Sequence, residues 1–391
     1  MRERLKAAKI VSPQYNAVSR AGMKNGLTMP VEQVQEWIRT GKPYVVRLKM
    51  PHKTEIRFHD VIRGWVKVNT SVLDDKVLMK SDGLPTYHFA NVVDDYLMKI
   101  THVIRGEEWL PSTPMHVLLY RYLGWTDYMP QFIHLPLLLA PNGKGKLSKR
   151  HAHEYGFPAF PIAWHAPDLT VSNGFREQGY LPEALLNFLA LLGWNPGTNQ
   201  EIFTKEELIA AFSLERLGKS AAVFDIAKAN WFNQQHIKKL TKTVWASYFI
   251  AEAAKDHIQC SEKEAMAICT LVKDSITFPQ DFWAEGSYFL CDPIGYNSDF
   301  LQKKWNPHSK SVMLCFTNSL LALTEWNQHN LKQLLQEAVY THHSTMGSIM
   351  PLLRIVLTGR TTGPDLMEII VLLGKDTTHK RLTTFLEKVK T

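Results

Sequence analysis

"FIHLPLLLAPNGKGKLSKRH", residues 132–151, runs from an apolar stretch into four cations within seven residues, Lys144 to Arg150. An apolar run of nine residues, FIHLPLLLA (132–140), reads as a buried parallel strand. The preceding "MHVLLYRYLG" (115–124) reads as a helix stopped by glycine, and helix plus buried strand make one βαβ-type unit. Ligands of open α/β sheets bind beyond the carboxyl ends of the strands, which is where the basic loop stands. Asn142-Gly143 and Lys144-Gly145 are ordinary turn chemistry, so composition alone allows a solvated surface turn. The other reading is a loop hinged at its glycines whose ammonium groups close over phosphates.

Bulk properties narrow the choice. At 391 residues, 45% hydrophobic and 21% charged, the chain has the composition of a globular protein of two to three domains. No apolar run approaches a membrane span, and "MRERLKAAKI" lacks a signal peptide's apolar core, so no membrane partner and a cytoplasmic location are expected. Cys260, Cys269, Cys291 and Cys315 form no CxxC pair, which argues against zinc or a disulfide framework. Charge is uneven: residues 1–150 carry 23 Lys+Arg against 13 Asp+Glu, and the remainder 22 against 24. A basic first third suits a polyanionic partner, although uneven surface charge without function fits the same numbers.

Along the chain, "VEQVQEWIRTG" (31–41) predicts a helix with a glycine stop, and "YVVRLK" (44–49) and "VIRGWVKV" (61–68) predict strands. After residue 180 the pattern is helical throughout, with "LPEALLNFLALLGW" and "TKEELIAAF" carrying start signals. Residues 240–391 predict an all-helical domain whose Trp, Phe and Met residues are core.

The segment "SDGLPTYHFANVVDDYLMKITHVIRGEEWLPSTPMHVLLYRYLGW" (81–125), with "KLSKR" at 146–150, resembles the bacterial-type glutamyl-tRNA synthetases, a class I aminoacyl-tRNA synthetase family. "GYLPEALLNFLALLGW", "EIFTKEELIAAF" and "PLLRIVLTGRTTGPDLMEIIVLLGK" are similar to later segments of the family, in the same order. The resemblance implies a fold of α/β plus all-α class: a Rossmann-type nucleotide-binding domain followed by an α-helical anticodon-binding domain. It implies four segments: the end of a connective, acceptor-stem-binding insertion (1–80), the second half of the Rossmann domain (81–142), a lysine-loop and stem-contact region (143–239) and the anticodon domain (240–391). The activity implied is ATP-dependent formation of glutamyl-adenylate and transfer to tRNA(Glu), with Mg2+ accompanying ATP, no zinc, and a monomer as the expected state.

Roles follow from the same likeness. Lys149 would meet the phosphates in the transition state, with Lys146 and Ser148 supporting it. Arg105 would pair with the glutamate side-chain carboxylate, to which a planar guanidinium fork is suited; a structural ion pair with Glu107 or Asp94 is the alternative. Tyr87 and Asn91 would line the amino-acid pocket. Glu108 and Trp109 would serve ATP or the tRNA terminus, and Leu137 and Leu138 would read adenine through their backbone. Arg354 and Arg360 are candidates for anticodon contact, against ordinary surface charge. His102, His151 and His153 are left without a role.

One family element is not found. No His-x-Gly-His occurs before residue 81; "FHDVIRG" and "THVIRG" share letters with it but not the spacing. The resemblance then implies that the first half of the nucleotide-binding domain is missing and that the chain is inactive alone, the alternative function being non-catalytic tRNA binding.

Overall fold

The computed structural model describes residues 14–168, 170–296 and 298–389, with the backbone alone at Lys149, His151 and His153. The chain divides into two compact units: residues 1–148 with 190–201 and 206–224, and residues 149–189 with 202–205 and 225–391.

The first unit opens with the expected helix α1 (Val31–Arg39). Strand β1 (Val46–Arg47) pairs antiparallel with β4 (Val77–Met79) in a small sheet. Between them, strict alternation in "EIRFHD" sends Ile56, Phe58 and Asp60 inward and leaves Glu55, Arg57 and His59 in water, the period-2 signature of a half-buried strand. This strand, β2 (Glu55–Asp60), forms a hairpin with β3 (Gly64–Asn69). The strand expected at 61–68 therefore begins three residues later. Val61 to Arg63 form the turn, because the Asp60 carboxylate accepts the N–H groups of Ile62 (3.0 Å) and Arg63 (2.9 Å).

Helix α2 (Tyr87–Leu97), strand β5 (His102–Gly106), helix α3 (Thr113–Tyr122) and strand β6 (Gln131–Leu135) complete the main sheet. Its order is β3-β2-β6-β5, with β2, β6 and β5 parallel. It joins residues on both sides of position 80. Helix α3 is buried from Thr113 to Tyr120, as expected of a helix apolar on nearly every side. Its Leu118 packs into one core with Leu48, Met50, Ile56, Phe58 and Phe132.

The apolar run 132–140 is two strands, not one. Pro136 has no N–H for a ladder, and β6 ends at Leu135. Leu138–Leu139 (β7) then pairs in parallel with Ala222–Val223 (β8), a short strand in a region where the pattern predicted only helix. The basic loop folds back on β7: Ala140 N donates to Gly145 O (3.1 Å) and Leu147 N to Leu138 O (2.7 Å). Gly143 and Gly145 have φ of 71° and 74°, a left-handed conformation that glycine adopts without a Cβ penalty. The glycines thus shape a hairpin that presents its lysines.

The second unit is helical apart from the Trp164–His165 and Val171–Ser172 hairpin. One core gathers Ile237, Trp245, Phe249, Ile268 and Phe282; another gathers Val312, Phe316, Leu335, Leu353, Ile370 and Phe385. Local signals agree with the packing. Ser261 and Glu264 form a capping box at the helix Glu262–Val272, which satisfies two end donors at once. Asn233, fully buried on the helix Ile226–Lys239, accepts from Leu181 N (2.8 Å) and donates to Gly179 O (3.1 Å) and Thr277 O (2.7 Å). One amide thereby ties three segments. Replacing it leaves half-buried backbone groups unpaired around a buried cavity, so Asn233→Ala should lower the unfolding free energy of this unit by about 1–3 kcal/mol in urea titrations. A loss under about 0.5 kcal/mol would show that the three bonds are dispensable.

Candidate active site at the strand ends

The carboxyl ends of the three parallel strands deliver Asp60 (β2), Arg105 (β5) and His134 (β6). Arg105 and His134 are register partners, so their side chains leave neighbouring strands on the same face. His134 is fully buried, and its Nδ1 lies 2.6 Å from Asp60 Oδ2. Burial holds the imidazole's pKa below its usual value, with Asp60 opposing. A neutral ring with its proton on Nδ1, donated to the carboxylate, leaves Nε2 as an acceptor. Arg105 Nε donates to that nitrogen at 3.1 Å, and Nη2 donates to Thr113 Oγ1 at 2.9 Å. Asp60 is satisfied as well, since it accepts from the backbone N–H groups of Ile62, Arg63 and His134. A buried carboxylate persists only with such partners.

The guanidinium is consequently half spoken for. Its Nε–Nη2 side is engaged, whereas Nη1 is buried with no acceptor in hydrogen-bonding geometry, and Tyr87 is a further polar side chain that interacts with the guanidinium. The Nε–Nη2 edge of the guanidinium is thus taken by His134 and Thr113, and Nη1, with the second hydrogen of Nη2, is left to meet a ligand. The alternatives raised for Arg105, pairing with Glu107 or Asp94, do not occur: Glu107 pairs with Arg63. Burial pushes the Arg105 pKa down, while Tyr87 and Asp95 work in the other direction.

Tyr87, Asn91 and Asp95 sit at i, i+4 and i+8 of α2, one face of the helix. Burial raises the Asp95 pKa, while Arg105 and the Asn91 side chain act against the rise. Across from them the ring of Trp109 lies 4.9 Å from that of Tyr87; both rings remain accessible, at 37% and 51% exposure. Sequence residues Tyr87, Asn91, Arg105 and Trp109 therefore do come together. Glu108 forms an ion pair with Lys146, which draws the lysine hairpin to the "GEEW" segment and lowers the Glu108 pKa. A Cβ at Gly106 would run into the Glu108 carboxylate.

The remaining expected residues are placed less simply. Ser148 is half-buried after the hairpin. Lys149 starts the helix Lys149–Tyr155 in the second unit, and its side chain lies outside the described residues, as do those of His151 and His153. Leu137 follows Pro136, and the Leu138 carbonyl already accepts from Leu147. Arg360 is committed to Glu285 at 2.6 Å and to the Ala284 carbonyl. Arg354 donates to Pro364 O at 2.7 Å. His102 contacts Thr101 Oγ1 at 2.8 Å. Among the described residues no group of three or more His, Cys, Asp or Glu is arranged to hold a metal, and no helix is long and apolar enough to cross a membrane.

Sequence reasoning missed Asp60, Thr113 and His134, and also the pair His88–His116, whose ring nitrogens lie 3.2 Å apart. The signal was a polar residue inside an otherwise apolar strand, as in "FIHLPLLLA". His116 is 1% exposed, and burial, reinforced by Arg105, pushes its pKa from 6.5 to about 3. The unfolded chain takes up that proton below about pH 6.5, whereas the folded chain resists until about pH 3. Stability should therefore fall as pH drops through this window, by up to about 1.4 kcal/mol per pH unit from His116 alone. His116→Gln should flatten the pH dependence of urea unfolding between pH 6 and 4 by about one proton; an unchanged slope would mean that His116 titrates normally in the fold.

Comparison with known proteins supplies the context for this geometry. Residues 1–231 match the family described as "tRNA synthetases class I (E and Q), catalytic domain", and residues 249–386 match "Anticodon binding domain". The glutamate–tRNA ligase of Amoebophilus asiaticus is 54% identical over 387 residues, covering 99% of this chain and 76% of the relative. That of Cytophaga hutchinsonii is 51% identical over 100% of this chain and 76% of its own. The crystal structure of a glutamate tRNA ligase from Elizabethkingia meningosepticum in complex with its amino acid superposes with a TM-score of 0.92 at 39% identity, covering 100% of this chain and 77% of that one. These matches lend no support to the expectation that the chain lacks a family motif and is inactive alone; they span about three quarters of the length of those relatives. The chain belongs to the glutamate–tRNA ligases, class I aminoacyl-tRNA synthetases with a helical anticodon-binding domain.

Proposed function

We propose that the chain activates glutamate with ATP and passes the glutamyl group to tRNA(Glu), using the strand-end cluster as its amino-acid site. The carrying observation is the buried, unpartnered Nη1 of Arg105 beside Tyr87 and Asn91. A buried donor on a cation calls for an anionic acceptor, and the side-chain carboxylate of glutamate is one of the right size and charge.

With the side chain so held, the α-carboxylate is the nucleophile. One of its oxygens bonds to the α-phosphorus of ATP as the bond to pyrophosphate breaks. A ribose hydroxyl of tRNA then displaces AMP from the mixed anhydride. The protein's part in such a reaction is alignment and positive charge around phosphorus rather than an activated serine or cysteine. Trp109 and Glu108 border the ATP side. Lys146, exposed and held by Glu108, is an ammonium for which the triphosphate competes. Lys149 and Ser148 complete the lysine loop, and Leu137, ahead of the paired Leu138, is the backbone offered to adenine. Mg2+ would arrive bound to the phosphates, in keeping with its preference for phosphate and water oxygens, and would supply further charge neutralisation there.

The test is direct. Arg105→Ala should weaken equilibrium glutamate binding at least about tenfold to a hundredfold while leaving ATP affinity within about twofold. Unchanged glutamate affinity would remove Arg105, and with it the proposed amino-acid site.

A further inference from the structure

We infer that Asp60 and His134 are positioning residues that fix Arg105 so that it turns its Nη1 end to its ligand. The inference rests on the proposed reading of Arg105 as the glutamate-binding residue and adds how that residue is aimed.

Three observations carry it. The first is topological: Asp60, His134 and Arg105 end three adjacent parallel strands, so the sheet itself sets their order. The second is geometric. Asp60 takes the Nδ1 proton of His134 at 2.6 Å, and Nε2 takes the Arg105 Nε–H at 3.1 Å. The carboxylate thereby selects the one tautomer in which the ring can accept from a guanidinium. An imidazole with its proton on Nε2 would turn an N–H against the Arg105 N–H. The third is burial with pairing: Asp60 and His134 are both 0% exposed and bonded within the protein, whereas Arg105 Nη1, also buried, has no acceptor.

Thr113 closes the arrangement from α3. Its hydroxyl accepts from Nη2 and sits 3.1 Å from His134 Nε2. A flexible arginine loses rotamer entropy when it binds; here that ordering is already imposed by the strand ends. The donors that remain on this cation call for an acceptor, and a carboxylate is the charged one.

Glutamate binding by equilibrium dialysis with radiolabelled amino acid, paired with thermal unfolding, tests the inference in the full chain. His134→Ala should weaken glutamate about tenfold to a hundredfold. His134→Gln should recover most of that loss, because its amide oxygen reaches the place of Nε2. In an Arg105→Ala background, His134→Ala should cost no further affinity, since it acts only through the guanidinium. Full additivity, or wild-type affinity in His134→Ala, would overturn the inference. If His134→Ala does not fold, His134→Gln against His134→Asn decides. Only the longer side chain reaches Arg105, and equal affinities would overturn the idea. A failure of Arg105→Ala to weaken binding would instead sink the glutamate-site reading itself.

Discussion

A buried carboxylate, an imidazole and a guanidinium joined in line organise this molecule's chemistry. Each link depends on the one before. The Asp60 carboxyl is accommodated in the interior because three backbone N–H groups and the His134 ring bond to it. The ring is then held neutral, oriented and accepting, and Arg105 is pinned by it on one side. Such a chain is costly to leave half-made, and every group in it comes from the end of a parallel strand or from the helix that follows. The fold places charge where the sheet opens to a ligand.

The second contribution is the cationic hairpin. Left-handed glycines at 143 and 145 let eight residues turn back on β7, and Glu108 holds Lys146 near the segment that also carries Arg105 and Trp109. Amino acid and polyphosphate carry opposite demands: one carboxylate needs one aimed donor, and a triphosphate needs diffuse positive charge. On the proposed reading, an internal arginine and exposed lysines would answer those demands separately.

Much of this was legible in the sequence, and unevenly so. Helical spacing located the carboxyl-terminal helices, and the glycine stops at Gly41 and Gly124 marked helix ends well. The run around Tyr87, Asn91, Arg105 and Trp109 named residues that do converge. Three features escaped. Pro136 breaks a strand that apolar content alone makes continuous. The hairpin turn at Val61 to Arg63 opens with two β-branched residues, so it reads as strand, and only the Asp60 side chain bonding back to the chain reveals it. Asp60 and His134 are distant in sequence and meet only through strand pairing, which no local pattern encodes. The stretches "FHDVIRG" and "THVIRG", set aside for lacking a particular spacing, in fact supply Asp60 and Arg105.

The most direct measurement of the central claim is a crystal structure of the protein with glutamate bound. The side-chain carboxylate should rest on Arg105 Nη1, with the Nε–His134 and His134–Asp60 bonds retained. A carboxylate seated on the Nε–Nη2 side with His134 displaced, or a glutamate held elsewhere, would contradict the account.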